Sequence, residues 1–269
     1  MRDCLVLVPY FDSPEGLLLA LNSIEDYQNR LSVLVVDDGS HLYPAAQVVK
    51  PVLGSMPTEV LRLSKNSGIE HALNHGLRAR GSRYKYIARL DCGDECTPDR
   101  FRLQLEYLDR NEDLMLLGGA ARFLSGDSSY IYKAPTRASD VRRHMKVNSA
   151  FVHPAVIFRS EILEEIGYYP LDRPAAEDYA YFRKISERYR SENLPDVVIN
   201  AFIDPKGIST VKRRRQVLSR IQIMFDHFDW SLLATWGILR SAVLLMTPRR
   251  FTAKLRSVIQ PTEMGAETR

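Results

Sequence analysis

Short apolar segments alternate with segments of helical periodicity along the N-terminal half of the chain. Residues 4–8 and 31–36 are apolar almost throughout, which is typical of strands in a parallel sheet covered on both faces. Between them, Ser13 and Pro14 mark a helix start, because serine is favoured at the N-cap and proline at the first helical position. This alternation predicts an α/β fold with a doubly wound, largely parallel sheet. The predicted strands are 4–8, 31–36, 60–63 and 86–90, and the predicted helices are about 14–26, 43–53 and 69–80.

The rest of the chain predicts a looser arrangement and then a helical end. Thr97 and Pro98 repeat the cap-and-proline signature before an apolar stripe, so a helix is expected to begin there. We expect one α/β domain over residues 1–215 and a basic amphipathic helical tail over residues 216–269. The remaining predicted strands are 114–118, 130–133, 155–158 and 196–203, and the remaining helices are 177–190, 216–228 and 231–247.

Composition places the chain among ordinary globular proteins, with 45% hydrophobic and 26% charged residues and a net charge of +4. Its three cysteines are too few and too irregularly spaced for a disulfide framework or a zinc site, which indicates a reducing compartment. Pro9 interrupts the first apolar run, so no standard signal peptide is predicted. We therefore expect a cytoplasmic protein.

The basic residues are concentrated near the C-terminus, with ten Lys or Arg between Lys212 and Arg256 against two acids. Arg240 lies in the middle of the predicted helix 231–247, which makes a membrane crossing costly. Trp236 and its basic flanks suit a helix lying on an anionic membrane surface. A helical hairpin packed on the domain or on another subunit of a homo-oligomer is the equally weighted alternative. No nucleic-acid recognition motif accompanies the basic residues.

Candidate chemistry appears where the strands end. The segments 9–12, 37–40 and 91–94 each follow a predicted strand and contain acids, and open α/β sheets bind ligands at the carboxyl ends of their strands. Neither a G-x-G-x-x-G nor a P-loop motif is present. A nucleotide bound here would need a carboxylate-held metal or basic side chains to meet its phosphate charge. Asp38 can accept from a base or ribose, while Asp91 and Asp94 can face the ribose and a divalent cation.

The ordered motifs over about residues 5–216 resemble the family-2 inverting glycosyltransferases of the GT-A fold, a Rossmann-like mixed sheet. They are Pro9-Tyr-Phe-Asp12, Val-Val-Asp-Asp-Gly-Ser40, Asn66-x-Gly68, Ala-Arg-Leu-Asp91-Cys-Gly-Asp94, Pro98-x-Arg-Phe, His153-Pro-Ala-Val-Ile-Phe-Arg159, Gly167, Glu177-Asp178-Tyr, Gly207-Ile-Ser-Thr and Gln216.

The resemblance implies a nucleotide-sugar site and a divalent cation, Mn²⁺ or Mg²⁺. Phe11 occupies the position of a tyrosine that stacks on the base. Gly93 stands where the family usually has the metal ligand, which makes the metal requirement an open question. The implied residues are Pro9, Phe11, Asp38, Asn66 and Asp91 for the nucleotide, and Asp91 and Asp94 for the metal.

Glu177 and Asp178 match the catalytic acid pair of the family. The resemblance implies that Asp178 is the general base that deprotonates the acceptor hydroxyl, with Glu177 supporting it or positioning the acceptor. A helix N-terminus is expected to keep such an acid ionised. His153 either contacts the leaving diphosphate or acceptor, or is structural. Residues 212–215 either neutralise the diphosphate or lipid, or form a solvated helix start.

We expect an inverting glycosyltransferase that moves a sugar from a UDP- or dTDP-sugar to a hydroxyl of a glycan, lipid-linked, in surface polysaccharide biosynthesis. It would act on the inner face of the cell membrane. A non-catalytic nucleotide-sugar-binding module is the alternative that Gly93 raises. A nucleotidyltransferase is less well supported, because the chain lacks an early Gly-rich loop bearing Lys or Arg.

Overall fold

The computed structural model describes residues 2–49, 56–126, 128–203 and 213–247. The strands are β1 Cys4–Tyr10, β2 Leu31–Asp37, β3 Thr58–Arg62, β4 Tyr86–Arg89, β5 Glu95–Cys96, β6 Leu114–Ser125, β7 Ser128–Tyr132, β8 Ile157–Arg159 and β9 Arg190–Phe202. The helices are α1 Pro14–Asn22, α2 Ala45–Val49, α3 Ile69–Arg80, α4 Arg100–Arg110, α5 Ala138–His144, α6 Ile162–Glu165, α7 Glu177–Arg188, α8 Arg213–Asp226 and α9 Leu232–Met246.

One mixed sheet runs through the described chain in the order β3-β2-β1-β4-β8-β6-β9-β5, with β7 paired to β6. The first four strands in this order are parallel. Beyond β4 the strand directions are mixed. Strand β8 is antiparallel to both of its neighbours, β4 and β6, whereas β9 is parallel to β6. The predicted Rossmann-like mixed α/β sheet is confirmed, with four consecutive parallel strands, β3-β2-β1-β4, and one further parallel pair, β6 and β9.

The sheet separates two hydrophobic cores, as the continuously apolar strands predict. Alternate residues of β1 point to opposite faces, so Val6 and Val8 lie in one core while Leu5 and Leu7 lie in the other. Each buried side chain of this size contributes about 1.5–3 kcal/mol relative to an exposed one. Burial on both faces therefore holds β1 at the centre of the molecule.

Two sequence predictions near the helix starts and strand ends were wrong. Helix α4 begins at Arg100 instead of Pro98, and the Thr97 hydroxyl donates to the Val197 carbonyl at 2.9 Å instead of capping the helix. Strand β6 continues to Ser125 instead of ending at residue 118, because it pairs in parallel with β9 as far as Leu124 opposite Phe202. Long-range pairing decided both boundaries.

Other predicted elements shifted at one end. Helix α1 stops at Asn22, helix α7 stops at Arg188, and β9 starts at Arg190 instead of residue 196. The last part of the predicted helix 43–53, the motif at Gly207, Lys212 and residues 248–269 lie outside the described residues.

The C-terminal helices pack on the α/β domain beside α7. Ile223 and Met224 of α8 join the same core as Phe182, and the Arg173 guanidinium pairs with Asp226 at 2.7 Å. Among the described residues, no helix combines the length and the apolar character that crossing a bilayer requires. The domain boundary at residue 215 stays a prediction.

Candidate active site

The carboxyl ends of β1, β2 and β4 lie at one edge of the sheet, because β1 pairs in parallel with both neighbours. In that register Tyr10 lies opposite Asp37, and Leu7 lies opposite Arg89. The loops that follow these strands therefore meet in one crevice. The predicted acids are all at this edge, and each is held by different partners.

Asp37 and Asp38 have different roles at the end of β2. Asp37 is fully buried and accepts from the backbone N–H groups of Ser40 and Ala45 at 2.8 and 2.9 Å, which closes the turn into α2. Asp38 accepts from the N–H groups of Ser67 and Gly68 at 2.8 and 2.9 Å. Burial raises the pKa of Asp38. The two hydrogen bonds oppose this effect but are the smaller influence.

Asp38 thereby fixes the loop that carries Asn66 against the crevice. Gly39, with a φ of +72°, makes this close approach possible, because a Cβ there would lie 2.4 Å from the Lys65 carbonyl carbon. Asn66 itself is exposed. The two predicted nucleotide-binding positions, Asp38 and Asn66, are therefore joined through one loop.

Asp12 organises the loop after β1. The sequence showed it only as the last residue of the Pro9–Asp12 motif. Its carboxylate accepts from the N–H groups of His41, Leu42 and Tyr43 at 2.9–3.1 Å. These hydrogen bonds lower the pKa of Asp12. The adjacent Phe11 ring is left 44% exposed, which leaves an aromatic face available for stacking.

Asp91 is paired with a buried arginine that sequence reasoning missed as a functional residue. Arg89 is completely buried, forms a short ion pair with Asp91, and donates to the Leu7 carbonyl at 2.8 Å. The signal was visible in the sequence, since Arg89 interrupts an otherwise apolar strand two residues before Asp91. Arg89 positions the Asp91 carboxylate at the mouth of the crevice.

His153 belongs to the same network. Its Nε2 accepts from the Arg89 Nε at 3.2 Å and lies 3.1 Å from the Tyr169 hydroxyl. Burial, and then the Arg89 charge, lower the pKa of His153 to about 3, so its ring is neutral at physiological pH. This geometry supports the structural one of its two predicted roles.

Asp94 is directed towards the sheet as well as towards the crevice. It is 9% exposed, and its Oδ1 accepts from the Phe202 N–H at 3.0 Å, which attaches the end of β9. Burial, and then the neighbouring Asp91 charge, raise the pKa of Asp94 to about 8. The loop between them turns at Gly93, where φ is +92° and the space beside the Cα is open.

These residues do not fit a divalent cation as they stand. A metal site needs several oxygen ligands converging on one point, whereas Asp91 pairs with Arg89 and the Asp94 carboxylate accepts from the Phe202 N–H. Within the described ranges, no group of three or more His, Cys, Asp and Glu side chains is arranged to hold a metal ion.

The predicted catalytic pair begins α7. Asp178 Oδ1 accepts from the Tyr179 N–H at 2.7 Å, and Glu177 is 6% exposed with its Oε2 buried and without a hydrogen-bond partner. Burial and the Asp178 charge raise the pKa of Glu177 to about 8. Burial also raises the pKa of Asp178. The helix N-terminus does not keep these acids fully ionised, because burial outweighs it.

The same pair is in electrostatic contact with the crevice. Asp91 raises the pKa of both Glu177 and Asp178, and Glu70 raises the pKa of Glu177. The positive charge of Arg220 in α8 opposes this effect and lowers the pKa of Asp178. Burial therefore favours the protonated form of Glu177, while the Arg220 charge favours the anion of Asp178.

The sequence profile of Glycosyl transferase family 2 matches residues 5–167 of the chain. The chain belongs to this family. It is accordingly a glycosyltransferase, and the enzymes of family 2 are inverting. The assignment covers the strand-end loops described above and favours sugar transfer over nucleotidyl transfer.

Two bacterial relatives in family 2 are similar over most of the chain. The chain is 28% identical over 211 residues, 76% of each protein, to the amylovoran biosynthesis glycosyltransferase AmsE of Erwinia amylovora. It is also 28% identical over 227 residues to the UDP-Gal:alpha-D-GlcNAc-diphosphoundecaprenol beta-1,3-galactosyltransferase of Escherichia coli, covering 81% of this chain and 79% of the relative. Homologues of the chain thus serve in surface polysaccharide biosynthesis.

Two solved structures share the GT-A fold. Residues 1–349 of TarS from S. aureus, in complex with UDP-GlcNAc, match with a TM-score of 0.68 and 18% identity over 98% of this chain and 77% of that one. The mannosyltransferase PcManGT of Pyrobaculum calidifontis, in complex with GDP-Man and Mn²⁺, matches with a TM-score of 0.64 and 19% identity over 96% and 80%. At these identities the likeness concerns the fold.

We expect the Glu177→Gln variant to be more stable than the wild type at alkaline pH and about equally stable at pH 4.5. The unfolded chain ionises Glu177 near its ordinary pKa of 4.5, whereas the folded protein keeps the proton up to about pH 8. The contribution of protonated Glu177 to the free energy of unfolding is therefore fully present below pH 4.5 and is lost as the pH rises to about 8.

Melting temperatures measured between pH 4.5 and 9 check this expectation. Exposed Glu164 of α6 provides the control, and Glu164→Gln should leave the pH profile of the melting temperature unchanged. Parallel profiles for the wild type and Glu177→Gln would contradict the buried, protonated state of Glu177.

Proposed function

We propose that this glycosyltransferase moves one sugar from a UDP- or dTDP-sugar to a hydroxyl of a lipid-linked glycan in surface polysaccharide biosynthesis. The observation that carries the proposal is the acid pair of α7 in electrostatic contact with Asp91 at the strand-end crevice. Such proximity would put a general base close to the bound nucleotide-sugar. The reaction would take place at the inner face of the cell membrane.

The donor would lie along the edge formed by β1, β2 and β4. The exposed Phe11 ring offers a stacking surface for the base. Pro9, Asp38 and Asn66 would line the nucleoside, and Asp91 would face the ribose. The TarS structure contains UDP-GlcNAc, which supports a nucleotide-sugar at this edge of the shared fold.

Asp178 would remove the proton from the attacking hydroxyl while that oxygen bonds to the anomeric carbon on the face opposite the leaving diphosphate. A base works best when its pKa lies close to the working pH, and burial raises the pKa of Asp178 in that direction. Protonated Glu177 can donate a hydrogen bond to an acceptor oxygen. The two tasks are distinct, because Arg220 stabilises the anion of Asp178 while burial and the Asp178 charge favour the protonated form of Glu177.

We propose only a weak dependence on divalent metal ions. PcManGT was solved with Mn²⁺, but here Gly93 supplies no ligand, Asp94 bonds to the Phe202 N–H, and Asp91 pairs with Arg89. We therefore assign the chemistry at this edge to protein groups, and no step is assigned to a metal.

The acceptor side faces the C-terminal helices. One face of α9 exposes five apolar side chains, which are Leu232, Trp236, Leu239, Val243 and Met246, each 56–91% exposed. Such a face is typical of a helix lying in a membrane interface. The Escherichia coli relative is named for a diphosphoundecaprenol acceptor, which supports a lipid-linked acceptor and an anionic membrane surface as partners here.

Replacing Asp178 with Asn should lower kcat by about 10²–10⁴-fold, the usual contribution of a general base, while the Kd for the donor stays unchanged. Transfer assays and calorimetric titration with UDP- and dTDP-sugars measure the two quantities. Asp172→Asn, at an exposed position before α7, is the matched control and should keep full activity. A fully active Asp178→Asn enzyme would refute sugar transfer with Asp178 as base, and full donor binding without turnover in the wild type would favour the binding module.

Treatment with EDTA should lower the transfer rate by less than about tenfold, whereas loss of a catalytic Lewis acid would cost several kcal/mol, or more than about 100-fold. Asp94→Asn should keep the response to Mn²⁺ unchanged, because Asn can still accept from the Phe202 N–H. The prediction would be contradicted if the wild type were inactive without Mn²⁺ and Asp94→Asn were inactive even with Mn²⁺. That result would support a metal site at Asp94.

The double variant Trp236→Ser/Leu239→Ser should bind phosphatidylglycerol vesicles at least about tenfold more weakly than the wild type at low salt, because each buried apolar side chain contributes about 1.5–3 kcal/mol. Vesicle flotation measures the effect, and Leu171→Ser, also at an exposed site, is the control. Membrane binding would be contradicted if the wild-type protein did not bind the vesicles and instead eluted as a dimer in size-exclusion chromatography, with the double variant eluting as a monomer.

A further inference from the structure

A cluster of cationic and polar side chains lies beside α7, outside the donor crevice. Arg220 comes from α8, Arg240 from α9 and His144 from the end of α5. The charges of both arginines act on His144 and on the hydroxyl of Tyr132 in β7. Gly237 seats α9 against the neighbouring loop, because a Cβ there would lie 2.4 Å from the Lys146 carbonyl oxygen.

The positive charge of this cluster is not neutralised by acids in salt-bridge contact. Arg220 donates to the Asn148 side-chain carbonyl and lies 5.7 Å from the centre of the Tyr179 ring. Over the described residues, neither Arg220 nor Arg240 forms an ion pair. A guanidinium is buried in a protein only with difficulty unless it has an anionic partner.

Two polar atoms of the cluster lack any partner. Arg240 Nη1 and His144 Nε2 are both buried, and neither makes a hydrogen bond within the described chain. Buried donors and acceptors in folded proteins nearly always have partners. Two such atoms, beside two arginines that have no salt-bridge partner among the described residues, form a place suited to an anion.

The position of the cluster indicates which kind of anion it would bind. The charges of Asp91 and of Arg220 both act on Asp178, so the cluster that contains Arg220 lies near the proposed base. Arg240 stands on α9 between buried Gly237 and the exposed apolar residues Trp236 and Leu239. An anion here would sit between the reacting hydroxyl and the apolar surface.

We propose that Arg220, Arg240 and His144 form a subsite for a phosphate group of the acceptor, at the junction between its sugar and its lipid. The proposal rests on the proposed sugar transfer to a lipid-linked glycan. The guanidinium groups supply charge-assisted hydrogen bonds to phosphate oxygens, and Tyr132 and Asn148 border the same space. The leaving diphosphate of the donor shares this chemistry and is the competing source of the anion.

Paired acceptors distinguish the two sources. One acceptor carries its sugar on a lipid diphosphate, and the other carries the same sugar on an uncharged alkyl chain. Arg240→Gln should raise KM for the diphosphate acceptor by about 10- to 100-fold, the value of one hydrogen bond to a charged group. It should leave KM for the uncharged acceptor and for the donor unchanged, and Arg240→Lys should restore part of the loss.

Arg188→Gln is the matched control, because Arg188 is an exposed arginine at the end of α7, and it should leave all three KM values unchanged. An equal loss with both acceptors, or a rise in the donor KM instead, would overturn the acceptor subsite. The second result would assign the anion to the donor.

Calorimetric titration with inorganic pyrophosphate tests the subsite without turnover. The wild type should bind pyrophosphate in the presence of saturating UDP, and Arg240→Gln and His144→Gln should bind it at least about tenfold more weakly. Equal binding by wild type and variants, or complete competition by UDP, would overturn the proposal. An enzyme that transfers sugar to neither acceptor would refute the proposed function, while the titration would still decide the subsite.

Discussion

The crevice depends on one buried cation, the guanidinium of Arg89. It holds Asp91 at the end of β4, donates to the Leu7 carbonyl of β1 at 2.8 Å, and donates to His153 before β8 at 3.2 Å. The Arg89 carbonyl in turn accepts from buried Arg100 at 2.7 Å. A buried charge is costly unless all its partners are in place, so this network forces the parallel strands and the later half of the chain into one relative position. The same network fixes the shape of the edge formed by the carboxyl ends of β1, β2 and β4, where the donor is proposed to bind.

Burial then sets the charge of the acids around the crevice. Asp94 and Glu177 both have a pKa raised to about 8, which spares the site the repulsion of four adjacent carboxylates. Asp91 and Asp178 are the acids with a nearby arginine, Arg89 and Arg220 respectively. Burial therefore favours the protonated form of Asp94 and Glu177, while the Arg220 charge favours the anion of Asp178, the form that a general base requires.

The C-terminal helices belong to this electrostatic arrangement as well as to the surface. Arg220 of α8 stabilises the Asp178 anion, and α9 exposes an apolar face next to Arg240. Helices that bind a membrane and also contribute to the site would bring a lipid-linked acceptor to the base without a separate delivery step. Ile223 and Met224 of α8 share the hydrophobic core of α7, which holds Arg220 close to the domain.

The sequence by itself determined the α/β class, the order of the first four strands and helices, and the membership in family 2. Continuous apolar runs and the spacing of the acids are local properties, and both survive folding unchanged. The sequence also located Asp91, Glu177 and Asp178, since strand-end and helix-start positions follow from local pattern. Arg89 was visible as a charge within an apolar strand, yet its partners were not.

Only the tertiary structure decided what each of these residues does. The role of Asp94 depends on the Phe202 N–H, 108 positions away, and the ionisation of Asp178 depends on an arginine in α8. The ends of β6 and β9 depend on their mutual pairing. Hydrogen bonds, burial and charge coupling of this kind join residues far apart in the chain, so no local pattern records them.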